Sequence, residues 1–235
     1  MAILNVTPDS FYAASRLKNE SELLRSAERA LAEGADILDL GACSTRPNST
    51  PASEEEEWKR LVPALTALKR EFPSVQLSLD TFRLEIAKRA LEQFGQMIIN
   101  DVSGGCEQMY DLVKQHDVPY VFCIRGAYHY LSILDNTPDL KWIIDPGLGF
   151  CGGVEQDYQC LRRMDELKAY NRPVLVGISR KSMLWKPLGL TPETTLCATQ
   201  VLHLYALQHG ANILRVHDVK EAKHTIQLYE LITNR

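Results

Sequence analysis

The stretch SVQLSLDTFRLEIAKRALEQFGQMIINDV, residues 74–102, contains a complete strand–helix–strand unit. Its two ends, at 75–80 and 97–102, are short and mostly apolar runs, which is typical of strands that are covered on both faces. An amphipathic helical pattern lies between them. Polar residues lie at or near the end of both runs, Asp80 in the first and Asn100 and Asp101 in the second. A parallel pair of buried strands joined by a crossover helix is therefore predicted.

The same unit repeats along the rest of the chain. Helical patterns separate eight strand candidates, at residues 2–6, 35–41, 75–80, 97–102, 120–124, 141–145, 174–179 and 212–216. Eight such alternations favour an α/β fold of the (β/α)8 TIM barrel type, as a single domain over residues 1–235, because a doubly wound sheet more often has fewer strands and a glycine-rich first turn. The fifth connection, residues 125–140, makes a poor helix, so we expect it to be shortened or incomplete.

Two helix starts can be placed from local signals. Ser53 precedes four consecutive glutamates, 54–57, and acidic residues favour the positive end of the helix dipole. We expect these glutamates to be solvated. The first helix is predicted to begin just after Asn19 or Ser21, which are common N-cap residues.

Composition excludes several classes of protein. A net charge of -4 and a pI near 5.9, without a basic patch, argue against nucleic acid as the main partner. Six cysteines without CxxC spacing indicate neither a zinc ribbon nor a disulfide framework. The sequence has no secretory leader pattern and no apolar run of roughly 18 residues, so we expect no membrane association and a cytoplasmic location.

Polar residues follow nearly every strand candidate. They are Asn5, Ser44, Thr45, Arg46, Pro47, Asp80, Asn100, Asp101, Asp145, Ser179, Arg180, Lys181, Ser182, Arg215 and His217. Each one alone could cap a helix or pair with a neighbour. However, the carboxyl ends of barrel strands meet at one rim, where barrel enzymes carry their chemistry. The set therefore predicts a functional site.

The residue types indicate what this rim could bind. Asp80, Asn100 and Asp145 offer acceptors and an amide, which suit the edge of a flat heterocycle with ring nitrogens and an amino group. Lys181, Arg215 and His217 form a cationic group suited to phosphate. The combination indicates a heterocycle that carries a phosphate leaving group.

These strand ends resemble those of the dihydropteroate synthase family. The matching motifs occur in the family's order: ILNVTPDSF (3–11), STRP (44–47), SLDTFR (78–83), IINDVSGG (98–105), IIDPGLGF (143–150), LVGISRKSM (175–183) and RVHDVKE (215–221). The resemblance implies a transferase of folate synthesis with Mg²⁺ as cofactor. It would condense 6-hydroxymethyl-7,8-dihydropterin pyrophosphate with 4-aminobenzoate, giving 7,8-dihydropteroate and pyrophosphate. It also implies a homodimer, formed through late helices such as that at 193–209.

The resemblance further implies roles for individual residues. Those that would hold the pterin are Asp80, Asn100, Asp145 and Lys181. Asn5 would bind Mg²⁺ together with the diphosphate, which Thr45, Arg215 and His217 would also contact. The 4-aminobenzoate would lie against Thr45, Arg46, Pro47, Phe150, Lys181 and Ser182. The chemistry would fall to Asp80, Lys181, Arg215 and His217, which stabilise opposite charges on the pterin and the leaving group.

Departures from the family pattern lie in loops. They are at 12–15, at Ala42 and Cys43, at Asn48, at 151–153, and in the fifth strand, which lacks the usual histidine and methionine. They leave two alternatives open. One is a pterin-binding relative without synthase activity. The other is a barrel resembling methyltetrahydrofolate-dependent corrinoid methyltransferases, which the SRKS and RVHD motifs disfavour because both suit a diphosphate.

Overall fold

The structure is a computed structural model that describes residues 1–6, 16–43, 52–124, 134 and 137–234, with only the backbone at 16–19. Strands and helices alternate. In chain order they are β1 (Ala2–Asn5), α1 (Arg16–Ala32), β2 (Ile37–Gly41), α2 (Glu54–Glu71), β3 (Gln76–Asp80), α3 (Leu84–Phe94), β4 (Ile98–Asp101), α4 (Glu107–Gln115), β5 (Tyr120–Cys123), β6 (Trp142–Asp145), α5 (Val154–Arg162), β7 (Leu175–Val176), α6 (Ser182–Leu188), α7 (Leu196–Gln208), β8 (Ile213–Leu214) and α8 (Val219–Thr233). Short 3₁₀ segments, Met164–Tyr170 and Pro192–Thr194, precede β7 and α7. All eight predicted strands are present within their predicted ranges.

The strands form a parallel barrel in chain order. Strands β1 to β6 make one sheet, and β7 pairs with β8. Single parallel bridges complete the circuit, from Ile144 to Val174 between β6 and β7, and from Ala2 to Val216 between β1 and the end of β8. The backbone bond from Ile3 N to Val216 O measures 2.9 Å at the second junction. The predicted (β/α)8 TIM barrel is confirmed.

An apolar layer fills the lower part of the barrel. It consists of Met1, Ile98, Val121, Ile143 and Leu175, with Ile37 and Ile213 packed against it. Successive residues of a strand point to opposite faces, so the residue two positions later points inward again. Those next inward positions include Asp39, Asn100, Asp145 and Arg215. A polar layer therefore lies directly above the apolar one, towards the carboxyl ends of the strands.

Local signals predicted one helix start correctly and misjudged two other features. Ser53 forms a capping box with Glu56, since each side chain accepts a hydrogen bond from the backbone N–H of the other residue. Glu57 is fully buried rather than solvated, because it pairs with Arg83. Helix α1 begins at Arg16, so the predicted start after Asn19 or Ser21 is wrong. The leucine, lysine and glutamate residues of this segment are good helix formers and continue the helix across both positions.

The fifth connection lies largely outside the described part of the chain, at 125–133 and 135–136, so its shortening stays a prediction.

Among the residues with a described structure, no helix is long and apolar enough to cross a membrane.

His203 makes the stability of this fold depend on pH. The side chain is fully buried on α7, where its Nδ1 lies 3.2 Å from Gln200 Oε1. Burial lowers its pKa to about 4, whereas an unfolded histidine titrates near 6.5. Between these two values only the unfolded chain binds the proton. The free energy of unfolding should therefore fall as the pH decreases from 6.5 to 4, by about 3 kcal/mol from this residue.

Urea unfolding at pH 7.5 and 4.5, compared between the wild type and His203→Gln, measures this contribution. The comparison is needed because Asp80, whose pKa is raised to about 7, changes stability in the opposite direction over the same range. We expect a smaller loss of stability at acid pH in the variant. An equal loss in both proteins would contradict the prediction.

Candidate active site

Strands β1 to β4 place three polar side chains at one level of the barrel. Asn5 is paired with Gly41, Gly41 with Asp80, and Asp80 with Asn100. Parallel partners lie side by side, so these residues form one row. A Cβ on Gly41 would lie 3.4 Å from both Asn5 Oδ1 and Asp80 Oδ2. Glycine at this position therefore leaves open the space between the two side chains.

A buried network links this row to β8. Arg215 donates from Nε to Asp39 Oδ2 and from Nη2 to Asp80 Oδ2, each at 2.6 Å. Asn100 Nδ2 donates to both oxygens of Asp39, at 3.1 and 3.3 Å. The guanidinium thus lies among the residues expected to hold a heterocycle. The sequence had assigned Arg215 to the diphosphate only.

The pKa values of the charged groups in this network are strongly perturbed. Burial raises the pKa of Asp80 to about 7; the charge of Arg215 opposes this rise, and that of Asp39 adds to it. Burial alone would lower the pKa of Arg215, but the charges of Asp39 and Asp80 outweigh this effect and raise it. Arg215 therefore stays charged, while Asp80 changes its protonation state close to neutral pH. A titratable group of this kind in a polar rim is typical of functional sites.

Lys181 and Asp145 form the opposite side of the site. Lys181 Nζ donates to the carbonyl of Leu148 and lies 5.1 Å from the centre of the Phe150 ring. Burial lowers the pKa of Lys181, and the charge of Asp145 opposes that change. Burial also raises the pKa of Asp145, against the effect of Lys181. The two side chains therefore stabilise each other's charged forms.

The backbone around Lys181 is shaped to admit its side chain. Gly149 has a φ of +90°, and a Cβ there would lie 2.8 Å from Lys181 Cδ. Arg180, with a φ of +60°, is in the left-handed region that non-glycine residues seldom adopt. The turn is closed by a 3.0 Å bond from Lys181 N to Ile178 O. These two special conformations direct Lys181 across the end of the barrel.

Asn5 and His217 lie near each other at a third part of the rim. Both line a cavity of about 610 Å³ between β1, α1 and the start of α8. His217 Nδ1 is 3.2 Å from Ser179 Oγ, so Ser179, three residues after β7, orients the imidazole. Arg180 also lines this cavity and pairs with Asp218 at 2.7 Å. Asn5 and His217, two of the residues expected to contact the diphosphate, therefore line the same cavity.

The remaining predicted residues are only partly placed. Thr45, Arg46 and Pro47 lie outside the described residues, as do the departures at 12–15 and at Asn48. Both flanks of the 44–51 segment are anchored, because Arg60 Nη1 donates to Ala42 O at 3.0 Å and Arg83 Nη2 donates to Ala52 O at 2.5 Å.

Asp39 is the site residue that the sequence reasoning missed. It lies in the middle of β2, whereas the site was sought at strand ends. A signal was available, because Ile37-Leu38-Asp39 has the same pattern as Ile98-Ile99-Asn100 and Ile143-Ile144-Asp145. In each triplet an inward apolar residue precedes the inward polar residue by two positions.

Family and sequence comparisons agree along nearly the whole chain. The sequence model of the family described as "Pterin binding enzyme" matches residues 1–128 and 137–217. A dihydropteroate synthase of Streptococcus pyogenes serotype M3 is 36% identical over 94% of this chain and 90% of its own length. One from Clostridium beijerinckii is 30% identical over 100% of this chain and 94% of its own length.

Solved structures give the same result. A Clostridium difficile dihydropteroate synthase, crystallised in the presence of pteroic acid, superimposes with a TM-score of 0.87 at 32% identity, over 100% of this chain and 96% of its own. The Xanthomonas albilineans enzyme with 4-aminobenzoic acid has a TM-score of 0.88 at 31% identity, over 100% and 93%. An Anaplasma phagocytophilum enzyme with bound 6-hydroxymethylpterin-monophosphate has a TM-score of 0.88 at 29% identity, over 98% and 97%.

Proposed function

The chain belongs to the pterin binding enzyme family and is a transferase of the dihydropteroate synthase type, and we propose that it joins 6-hydroxymethyl-7,8-dihydropterin pyrophosphate to 4-aminobenzoate at the rim described above. The observation that carries this proposal is the convergence of Asp80, Asn100, Asp145 and Lys181 on one end of a barrel that matches the family throughout. The proposal treats residues 1–235 as one catalytic domain.

The pterin would lie on the polar layer above the apolar core. Asp80 and Asp145 offer carboxylate oxygens to the amino group and ring N–H groups, and Asn100 offers its amide. Lys181, whose charge acts on that of Asp145, would contact the same ligand. Buried carboxylates bind and orient such a ring more firmly than water does, since the local dielectric is low.

The same groups suit a reaction that separates charge. As the bond between the pterin methylene carbon and the diphosphate oxygen breaks, positive charge grows on the pterin and negative charge on the leaving group. Asp80 and Asp145 would favour the cationic pterin. Arg215 and His217 would favour the diphosphate, since the two bonds of Arg215 to carboxylates use only part of its N–H donors. Preorganised charges of this kind usually contribute the largest part of catalysis.

The residues around Asn5 fit a magnesium ion that the substrate brings with it. Mg²⁺ keeps several waters and binds phosphate oxygens, so it needs few protein ligands. Asn5 ends β1 with an exposed side chain, and among the described residues no group of three or more acidic, histidine or cysteine side chains is arranged to hold a metal ion. Asn5 would therefore be its protein ligand. When bound, the ion would add positive charge at the diphosphate.

The acceptor would approach from the side of Phe150 and Ser182. Phe150 is half-buried, and its ring lies near Lys181 Nζ. Ser182, the residue after Lys181, begins α6. The aromatic ring offers an apolar surface for the ring of 4-aminobenzoate. The predicted contacts of Thr45, Arg46 and Pro47 would complete this side.

A coupled assay tests the function. Purified full-length protein is supplied with the pterin pyrophosphate, 4-aminobenzoate and Mg²⁺, and pyrophosphate and 7,8-dihydropteroate are measured together. We expect equal amounts of both products. Pterin binding without either product would favour a pterin-binding relative, which the altered residues Ala42, Cys43 and Cys151 would explain. Protein that does not bind pterin at all would contradict the proposal.

We propose that a second copy of the chain covers the outer face of α7 and α8. Helix α7 contains no charged residue. Five large apolar side chains are exposed on the two helices: Leu196 (37%), Val201 (67%), Leu228 (59%), Leu231 (75%) and Ile232 (70%). An exposed apolar surface on two helices that pack against each other is typical of protein interfaces. The homodimer that the family resemblance implies would bury it.

Val201→Asp is expected to convert this dimer into a monomer, because it places a charge at an apolar interface. Sedimentation equilibrium at micromolar concentration measures the change. Gln93→Glu, at an exposed position of α3, adds the same charge elsewhere and should leave the mass unchanged. A monomeric wild type, or a variant that stays dimeric, would contradict the proposal.

A further inference from the structure

We propose that Asp39 is a positioning residue that fixes how Asn100 and Arg215 face the pterin. The inference rests on the proposed function and deepens it. Asp39 is fully buried in β2, two positions before Gly41, and lies one step below the row formed by Asn5, Asp80 and Asn100. It acts through its neighbours, since a side chain with no exposed surface does not reach the ligand.

Three donors from three strands converge on this one carboxylate. Ser78 Oγ donates to Oδ1 at 2.5 Å, Arg215 Nε donates to Oδ2 at 2.6 Å, and Asn100 Nδ2 donates to both oxygens. Ser78 and Asn100 lie on the neighbouring strands β3 and β4, whereas Arg215 directly follows β8. Asp39 therefore connects residues that the sequence assigned to separate parts of the substrate.

Asp39 decides which end of the Asn100 amide faces the ligand. An ionised carboxylate has acceptors only, so the asparagine must turn its NH₂ group towards Asp39. Its carbonyl oxygen then points away, as an acceptor for a ring N–H or amino group. Asparagine at position 39 could either donate or accept. The Asn100 amide could then adopt either orientation, and the preference for a ligand donor would be lost.

The same carboxylate sets the plane of the Arg215 guanidinium. Nε donates a hydrogen bond to Asp39 and Nη2 donates one to Asp80. Two carboxylates therefore fix the orientation of one planar group. Without the Asp39 charge, Arg215 would keep only its bond to Asp80 and could rotate about it. The oxygens of Asp80 that are available to the pterin would change with that rotation.

Asp39→Asn tests the inference, with His203→Ala as a control for loss of stability alone. His203 is also fully buried, but it lies on helix α7, outside the ring of strands, where Gln200 is the partner of its Nδ1. For both variants and the wild type we would measure the melting temperature, the dissociation constant for 6-hydroxymethylpterin, and the Michaelis constant for each of the two substrates. Loss of one charged hydrogen-bond partner corresponds to about 10- to 100-fold in affinity.

Asp39→Asn should weaken pterin binding by about 10- to 100-fold and raise the Michaelis constant for the pterin substrate, while the constant for the acceptor substrate changes little. His203→Ala should lower the melting temperature without weakening pterin binding. If Asp39→Asn loses stability but binds pterin as the wild type does, the residue is structural and the inference is wrong. Equal rises in both Michaelis constants would also overturn it. Wild-type protein that fails to bind pterin would instead contradict the proposed function.

Discussion

Asp80→Asn is expected to lower kcat/KM for the pterin substrate by about 100- to 1,000-fold, the usual cost of removing one preorganised group from the transition state. The side chain lies in the row of polar residues above the apolar layer and accepts a 2.6 Å bond from Arg215. Asparagine keeps the shape but removes the charge that stabilises a cationic pterin. It also leaves the guanidinium with a weaker partner.

The pH profile gives a second test of the same residue. Because burial raises the pKa of Asp80 to about 7, kcat/KM of the wild type should increase several-fold between pH 6 and pH 8 as the carboxyl group ionises. The profile of Asp80→Asn should lack this rise. Asp36→Asn, at an exposed carboxylate before β2, serves as the control and should behave like the wild type. Unchanged affinity of Asp80→Asn for 6-hydroxymethylpterin would count against the assignment.

The barrel was predictable from sequence because its strands are buried on both faces. Each strand is a short and mostly apolar run, and helices such as α2 and α3 have one apolar stripe, so the repeat is visible without knowledge of long-range contacts. The observed strands lie within the predicted ranges. The start of α1 was less predictable, since good helix formers at 16–22 continue the helix past Asn19 and Ser21.

Most of the residues that form the site could be predicted from the sequence, but their hydrogen-bond and ion-pair partners could not. Asp80 and Asp145 end their strands and Asn100 is one residue from the end of β4, which marks them as rim residues. The sequence around Arg215 does not predict that its side chain binds Asp39 and Asp80. Arg215 comes near these residues only because the barrel closes between β8 and β1. The same limit applies to Glu57. Its burial depends on Arg83, which follows the next strand, and not on its own glutamate-rich surroundings.

Lys181→Ala is expected to reduce turnover by about 100- to 1,000-fold while changing the melting temperature little. Lys181 lies beside Asp145, with its Nζ near the Phe150 ring, so it faces both the pterin and the acceptor side of the rim. Its charged form is costly to bury, as the lowered pKa shows. Burying a charged lysine costs free energy, so Lys181 contributes little to the stability of the fold. Binding of the ligand explains better why a lysine is at this position.

Lys186→Ala on the same helix is the matched control, because that lysine is exposed and lies over Trp185 rather than in the site. Steady-state turnover and thermal melting of both variants, measured with saturating Mg²⁺, separate the two roles. Lys181→Ala should lose activity at nearly constant melting temperature, and Lys186→Ala should retain both. A large fall in the melting temperature of Lys181→Ala, with normal turnover in the protein that stays folded, would mean that the bond to the Leu148 carbonyl is its whole function. In that case the LVGISRKSM motif would position the loop at 146–150 and the pterin would depend on Asp145 alone at this side of the barrel.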